Sequence, residues 1–138
     1  MDYSTFNTKS FIIGKNSTYP LLKFPLIQQL RDKYDISDDM LENVAVTFSM
    51  VDAETGVYRI ANKAAHFLIN DDIEKYYDEE RYTLAFKFTT SQTRKAGNYL
   101  GEFKLDFIED GVSCGKITLP MNKIMIRITD SITKTSVE

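Results

Sequence analysis

The sequence predicts an all-β protein, an antiparallel sandwich of two sheets with about seven strands and a short N-terminal helix. Three observations favour this fold class: apolar and polar residues alternate in several runs, glycine-containing turns separate the runs, and few stretches have helical spacing. Strands joined by such short turns are expected to pair antiparallel.

Seven runs are predicted as strands. In the clearest of them, aromatic and aliphatic residues hold every second position, which places them on one face of a strand and predicts that this face is buried. The runs are residues 44–50, 57–60, 64–69, 82–88, 99–107, 116–119 and 124–128.

Glycine marks three of the connections. Asp52–Gly56, Lys95–Asn98 and Glu109–Gly111 each offer a residue that tolerates a positive φ, as tight hairpin turns require. They are predicted as turns. The connector at residues 70–81, with six acids and two bases, is predicted as a solvated loop or helical segment.

One segment has helical spacing. Ile27, Leu30 and Tyr34 recur at intervals of three and four, and Pro25 lies near the start, where proline favours the first helical position. A short helix is therefore predicted across one end of the sandwich.

The length of 138 residues fits a single domain. Within it we expect residues 1–43 to form an N-terminal arm with the helical segment packed on the domain, residues 44–132 to form the sandwich, and residues 133–138 to form a C-terminal tail. Residues 10–24 have an equally plausible second interpretation, as the first strand of the sandwich itself.

Composition argues against several functional classes. The net charge of −3 disfavours anionic partners, so neither nucleic acid nor an acidic membrane is expected to bind. No run of 18 apolar residues and no secretory signal is present, which predicts a soluble protein made in a cytoplasm. A single cysteine precludes an internal disulfide.

Candidate catalytic and metal-binding groups are few. His66 is the only histidine and Cys114 the only cysteine, so no common zinc site can be assembled, and no neighbouring base in the sequence activates the thiol. The acids between Asp71 and Glu80 lack the spacing of a calcium-binding loop. We therefore expect no catalytic residue, no metal and no cofactor.

Most aromatic residues fall on the predicted buried faces. Tyr76 and Tyr77 do not, and they leave open an alternative function in which the domain is a glycan-binding or host-adhesion module.

An ordered set of motifs over about residues 44–132 resembles the immunoglobulin-like domains of tailed-phage virion proteins, as found at the N-terminus of baseplate upper proteins and in related neck or tail-fibre components. In that family an Asp–Gly turn is followed by a strand of the form pGxYxgeFxhxF, and a proline precedes the closing isoleucine-rich strand. The matching segments here are VTFSMVDAETGVYRIANKAA, YTLAFKFT, KAGNYLGEFKLDF and ITLPMNKIMIRITDSI. The front segment and the charged insertion depart from the pattern, and the chain stops where relatives continue into fibre or receptor-binding modules.

The resemblance implies a non-enzymatic virion protein of the tail, baseplate, neck or capsid vertex, present in multiple copies and bound to other virion structural proteins. For its attachment we hypothesise that apolar patches of the front segment, or the tail after Asp130, dock on neighbouring subunits by adding to a sheet edge. The residues of this hypothesis are Phe11, Ile12, Ile13, Tyr19, Leu21 and Leu22.

Overall fold

The computed structural model describes residues 10–70, 81–118 and 124–130, which are mostly β and form two sheets packed in a sandwich-like arrangement. These residues contain nine strands, one α-helix and one 3₁₀ turn. The strands are β1 (Ser10–Gly14), β2 (Leu22–Pro25), β3 (Val44–Asp52), β4 (Tyr58–Ala64), β5 (His66–Ile69), β6 (Tyr82–Phe86), β7 (Gly97–Glu109), β8 (Val112–Thr118) and β9 (Ile124–Thr129).

The larger sheet has the order β1-β9-β7-β3-β4. Strand β8 also pairs with β7: it pairs with the C-terminal half of β7, on the same side as β9, which pairs with the N-terminal half. The smaller sheet has the order β2-β6-β5. The pairing differs from the prediction at one place, because β1 runs parallel to β9 while every other described pair is antiparallel.

Each of the seven predicted runs overlaps one of the strands β3 to β9. The two further strands, β1 and β2, lie in the front segment that the sequence assigned to an arm of residues 1–43. The predicted strand at 64–69 is divided: β4 ends at Ala64 in the larger sheet, and β5 begins at His66 in the smaller one. The chain therefore crosses between the sheets at Ala65.

The helix is shorter than its pattern suggested. Helix α1 spans Gln28–Lys33, with Ile27 as its N-cap. Pro25 does not begin it, as the sequence predicted, but ends β2, where it pairs with Thr83. The spacing did identify the buried position, since Leu30 is fully buried. A 3₁₀ turn at Asp39–Glu42 precedes β3.

Phenylalanine rings join the sheets at the centre of the core. Phe48 of β3 is fully buried, and its ring centroid lies 4.6 Å from that of Phe86 in the opposite sheet and 5.0 Å from that of Phe103 on β7. The predicted inward residues of β7 and β9 are buried as well: Tyr99, Phe103, Leu105, Phe107, Ile124, Ile126 and Ile128.

Two of the three predicted glycine turns form. The third, at Lys95–Asn98, does not, because β7 already begins at Gly97 and the turn in this connection lies at residues 90–93. Gly56 has a φ of 73° in the β3–β4 hairpin, and Asp110 and Gly111 have φ values of 53° and 79° in the β7–β8 hairpin. Two successive positive φ values are the geometry of a type I′ turn, whose twist matches that of the flanking strands.

Candidate interaction surface

The six residues of the docking hypothesis have different environments. Ile13 and Leu22 are buried in the core of the chain itself, Phe11 and Leu21 are half-buried, and Ile12 and Tyr19 are exposed over 63% and 81% of their surface. The structure thus does not bring the six together into one patch.

Thr93 fixes the connection between β1 and β2 to the rest of the domain. This threonine is fully buried, and its hydroxyl donates a hydrogen bond of 2.8 Å to the carbonyl of Ser17. The N–H of Asn16 donates in turn to the Thr93 carbonyl at 3.0 Å. Both bonds hold the segment after β1 against its own sandwich.

A row of apolar side chains crosses the outer face of the larger sheet. It consists of four residues in direct register on adjacent strands: Met125, Leu100, Val51 and Tyr58. Met125 and Tyr58 are exposed over 52% and 57% of their surface, and the two residues between them are half-buried. We call these four residues the outer row.

The outer row lies on the solvent side of the sheet because its members alternate with buried residues. Leu100 stands between Tyr99 and Gly101, both of which face the core, and Met125 stands between Ile124 and Ile126. Ile12 extends the apolar surface on the neighbouring strand β1, where it pairs with the residue two beyond Met125. Contiguous apolar surface on the exposed face of a sheet makes this face a candidate contact region.

Polar groups border the outer row on both sides. Glu102 and Ser49 pair in the next outward position, and Lys104 lies beyond them with its Nζ 3.1 Å from Asn62 Oδ1. On the opposite side Arg127 is exposed. An apolar centre with a polar border is the usual anatomy of a protein–protein interface.

The hairpin beside Tyr58 holds an ionised carboxylate. Asp52 Oδ1 accepts hydrogen bonds from the N–H groups of Thr55 at 3.0 Å and Glu54 at 2.9 Å. These two bonds, that of Thr55 first, lower the pKa of the Asp52 carboxyl below its ordinary value because they stabilise its charged form. The turn therefore holds a fixed negative charge at the end of β3, where Asp52 pairs with Tyr99 on the side of the sheet opposite to the outer row.

The lone histidine and the lone cysteine lie in different sheets. His66 is exposed on β5, and Cys114 is exposed on β8, where its Sγ lies 3.2 Å from the Phe107 carbonyl oxygen. Within the described ranges, no three of the residues histidine, cysteine, aspartate and glutamate stand close enough to hold a metal ion. The acids from Asp71 to Glu80, with Tyr76 and Tyr77 among them, fall outside those ranges.

Open depressions occur on the surface. One of about 130 Å³ lies over the outer row, between Val51, Tyr58 and Leu100. A wider one of about 420 Å³ has the acids Asp39 and Glu109 on its rim near Cys114. Neither is lined by a histidine.

The sequence matches no protein-family model and none of the curated proteins with which it was compared. Among the described residues, no helix has the length and apolar character needed to cross a membrane.

Proposed function

We propose that this chain is a non-enzymatic structural component of a tailed-phage virion, an immunoglobulin-like sandwich that acts through protein–protein contacts. The observation that carries the proposal is the outer row, an exposed apolar line on a sheet face bordered by polar side chains. The partners are other virion structural proteins, the copies are multiple, and the place of action is the particle assembled in the host cytoplasm.

Strand order supports the immunoglobulin-like part of the proposal. In immunoglobulin-type sandwiches one sheet contains strands B, E and D and the other contains G, F and C, to which variable-type domains add C′. Here β2-β6-β5 takes the place of B-E-D, and β9-β7-β3-β4 takes the place of G-F-C-C′. The β7–β8 hairpin is then an addition between F and G.

Tyr99 supplies a second, local argument. It lies near the start of β7, and its hydroxyl donates a hydrogen bond of 2.8 Å to the carbonyl of Lys95, four residues upstream. A tyrosine at the start of strand F whose hydroxyl bonds back to the upstream backbone is a hallmark of this sandwich class. The bond fixes the chain where it enters the longest strand.

The position of Gly101 is also consistent with an immunoglobulin-like sandwich. In antibody domains a cysteine follows the corner tyrosine by two residues and packs against a tryptophan of strand C. Gly101 holds that position here, and the ring of Phe48 on β3 fills the space beside it. Packing of aromatic rings thus takes the place of the disulfide, which suits a chain with one cysteine.

The chemistry of the surface favours contacts over catalysis. The exposed apolar residues of the outer row lose contact with water when a partner covers them, and the resulting gain is proportional to the apolar area buried. Since the chain is acidic overall, a protein partner fits this surface better than a nucleic acid does.

Antibody labelling of intact virions, imaged by negative-stain electron microscopy, tests the proposal. We expect label at a fixed position on the tail, neck, baseplate or capsid vertex, in several copies for each particle. Label confined to the tips of fibres would favour the host-adhesion alternative. Purified particles that carry no label and no peptide of this chain would refute the virion assignment.

A further inference from the structure

The outer row is complementary to a reversed copy of itself. From β9 to β4 the row reads Met125, Leu100, Val51 and Tyr58. When a second, reversed row is placed over the first, Leu100 of each row lies opposite Val51 of the other. The thioether of Met125 then lies opposite the aromatic ring of Tyr58.

We propose that a second copy of this chain docks on the outer face of the larger sheet, the two copies being related by a twofold axis that runs along the strands between β7 and β3. Leu100 then faces Val51 of the second copy, and Met125 faces its Tyr58. The inference rests on the proposed function, to which it adds the contact surface and the partner.

The size of the face is compatible with a dimer. About this axis four strands of each copy overlap, β9, β7, β3 and β4, and they span about 19 Å at about 4.8 Å each, while the nine residues of β3 at about 3.4 Å each span about 30 Å. The product is on the order of 600 Å², at the lower end of the roughly 600–1,000 Å² that each partner buries in a stable interface of standard size. Two sheets stacked face to face at about 10 Å are an ordinary packing arrangement.

The charges along the face suit self-association in this orientation. The charged side chains that point outward on β7 and β9 are two acids and two bases: Glu102, Asp106, Lys104 and Arg127. The twofold axis sets β7 over β3 of the second copy, so Glu102 faces the neutral Ser49 and Lys104 faces the neutral Thr47. No like charges on these strands are directly opposed.

Arg127 meets no opposed base. The axis sets β9 over β4 of the second copy, and the level of Arg127, two residues beyond Met125, corresponds to the hairpin at Asp52–Gly56. That hairpin holds two acids, Asp52 and Glu54, and no base. Rim charges of opposite sign help to set the orientation of an interface.

The contact between Met125 and the ring of Tyr58 also favours this orientation, at both ends of the row. A thioether beside the edge of a ring is a favourable contact, and methionine adapts its shape to the surface it meets. Both ends of the row form this contact at once, because a twofold interface repeats every contact.

Sedimentation velocity and light scattering over a concentration series test the proposal on the purified full chain. We expect a reversible dimer. Val51→Lys and Leu100→Glu should each weaken dimerisation by about 100-fold or more, because each buries an unpaired charge. Val112→Lys, at an apolar residue of β8 that is 66% exposed and lies off the row, is the matched control and should leave dimerisation unchanged.

The double variant Val51→Lys with Leu100→Glu distinguishes this pairing from any other use of the face. In the proposed dimer each new lysine faces a new glutamate of the second copy, so the double variant should recover dimerisation that each single variant loses. Circular dichroism and melting temperature establish that the variants are folded. If a single variant does not fold, a disulfide between Met125→Cys and Tyr58→Cys chains, mixed in a Cys114→Ser background, supports or refutes the pairing instead.

A wild-type chain that remains monomeric at its highest soluble concentration overturns the inference, as does a dimer that survives both single charge variants. A double variant that folds but stays monomeric overturns the twofold pairing. None of these outcomes depends on virion labelling, so the proposed function and this inference fail separately.

Discussion

Replacing Gly101 by alanine tests the packing at the centre of the core. A Cβ atom at this position of β7 would lie 2.6 Å from Cζ of Phe48 and 2.7 Å from Cδ1 of Ile126. Both neighbours are buried, with at most 1% of their surface exposed, so neither side chain can move into solvent to make room. One added methyl group therefore forces two packed side chains, or the backbone, to shift.

The magnitude follows from two opposing effects. Overpacking a filled core costs about 1–3 kcal/mol, whereas replacing glycine by alanine stabilises by about 0.4–1 kcal/mol through the unfolded chain. Gly101 is not among the residues with positive φ, so alanine meets no backbone penalty there. We expect a net loss of about 1–2 kcal/mol in the free energy of unfolding, with overpacking the larger effect.

Denaturant unfolding followed by circular dichroism provides the assay, with Gly115→Ala as the matched control. Gly115 also lies within a strand and also lacks a positive φ, but its Cβ would meet no atom within 4 Å. That substitution should be neutral or stabilising by up to about 1 kcal/mol.

A double-mutant cycle identifies the clashing neighbour. Phe48→Leu removes the ring atoms that the new Cβ would touch, so Gly101→Ala should cost about 1 kcal/mol less in that background than in the wild type. A Gly101→Ala chain as stable as the Gly115→Ala chain, or a cycle without coupling, would show that the strand faces are packed differently.

Three further predictions concern the core, the β3–β4 hairpin and the hydrogen bond of Tyr99. Phe103→Ala should cost about 3–5 kcal/mol of unfolding free energy and Lys104→Ala less than about 0.5 kcal/mol, and equal losses in denaturant unfolding would contradict the assigned faces. The pKa of Asp52 is lowered in the folded state, so its contribution to stability is present above the unfolded pKa and is lost as pH falls through the folded pKa. Asp52→Asn should therefore flatten that part of the plot of melting temperature against pH. A variant whose plot matches that of the wild type would contradict this role of Asp52. Tyr99→Phe should lose about 0.5–1.5 kcal/mol in denaturant unfolding with the bond to the Lys95 carbonyl, and a fully stable variant would exclude a structural role for that bond.

Periodicity identified β3, β6, β7 and β9 because their apolar residues keep an interval of two over at least three positions, and β4, β5 and β8 were recognised only as shorter runs. β1 and β2 were assigned to an arm because the run Phe11-Ile12-Ile13 is continuously apolar and β2 offers a single alternating pair, Leu22 and Phe24. In β1 the outer residue, Ile12, breaks the alternation although the strand itself is regular. The short helix was predicted because Ile27, Leu30 and Tyr34 have helical spacing, but its start was misplaced because Pro25 suits the end of an edge strand as well as the first turn of a helix.

The outer row could not be predicted from the sequence, for a different reason. Its members come from four strands, and each is a single apolar residue at an outward position: Met125, Leu100, Val51 and Tyr58. Single exposed apolar residues are normal on any protein and predict nothing. Only the register between the strands aligns them, and register depends on tertiary pairing.

Deleting residues 1–9 and 131–138 together separates folding from assembly. The truncation keeps all nine described strands, the bonds of Thr93 that hold the segment after β1, and the outer row. If the removed ends serve attachment to neighbouring subunits, the truncated chain should melt within a few degrees of the full chain, because its described core is intact, and should still form the proposed dimer, yet enter particles at a reduced level when it replaces the wild type. Loss of folding would instead place those ends in the core, since a domain loses cooperativity when packed strands lose neighbours. Normal folding with normal incorporation would show that these ends are dispensable for attachment and would refute their docking role.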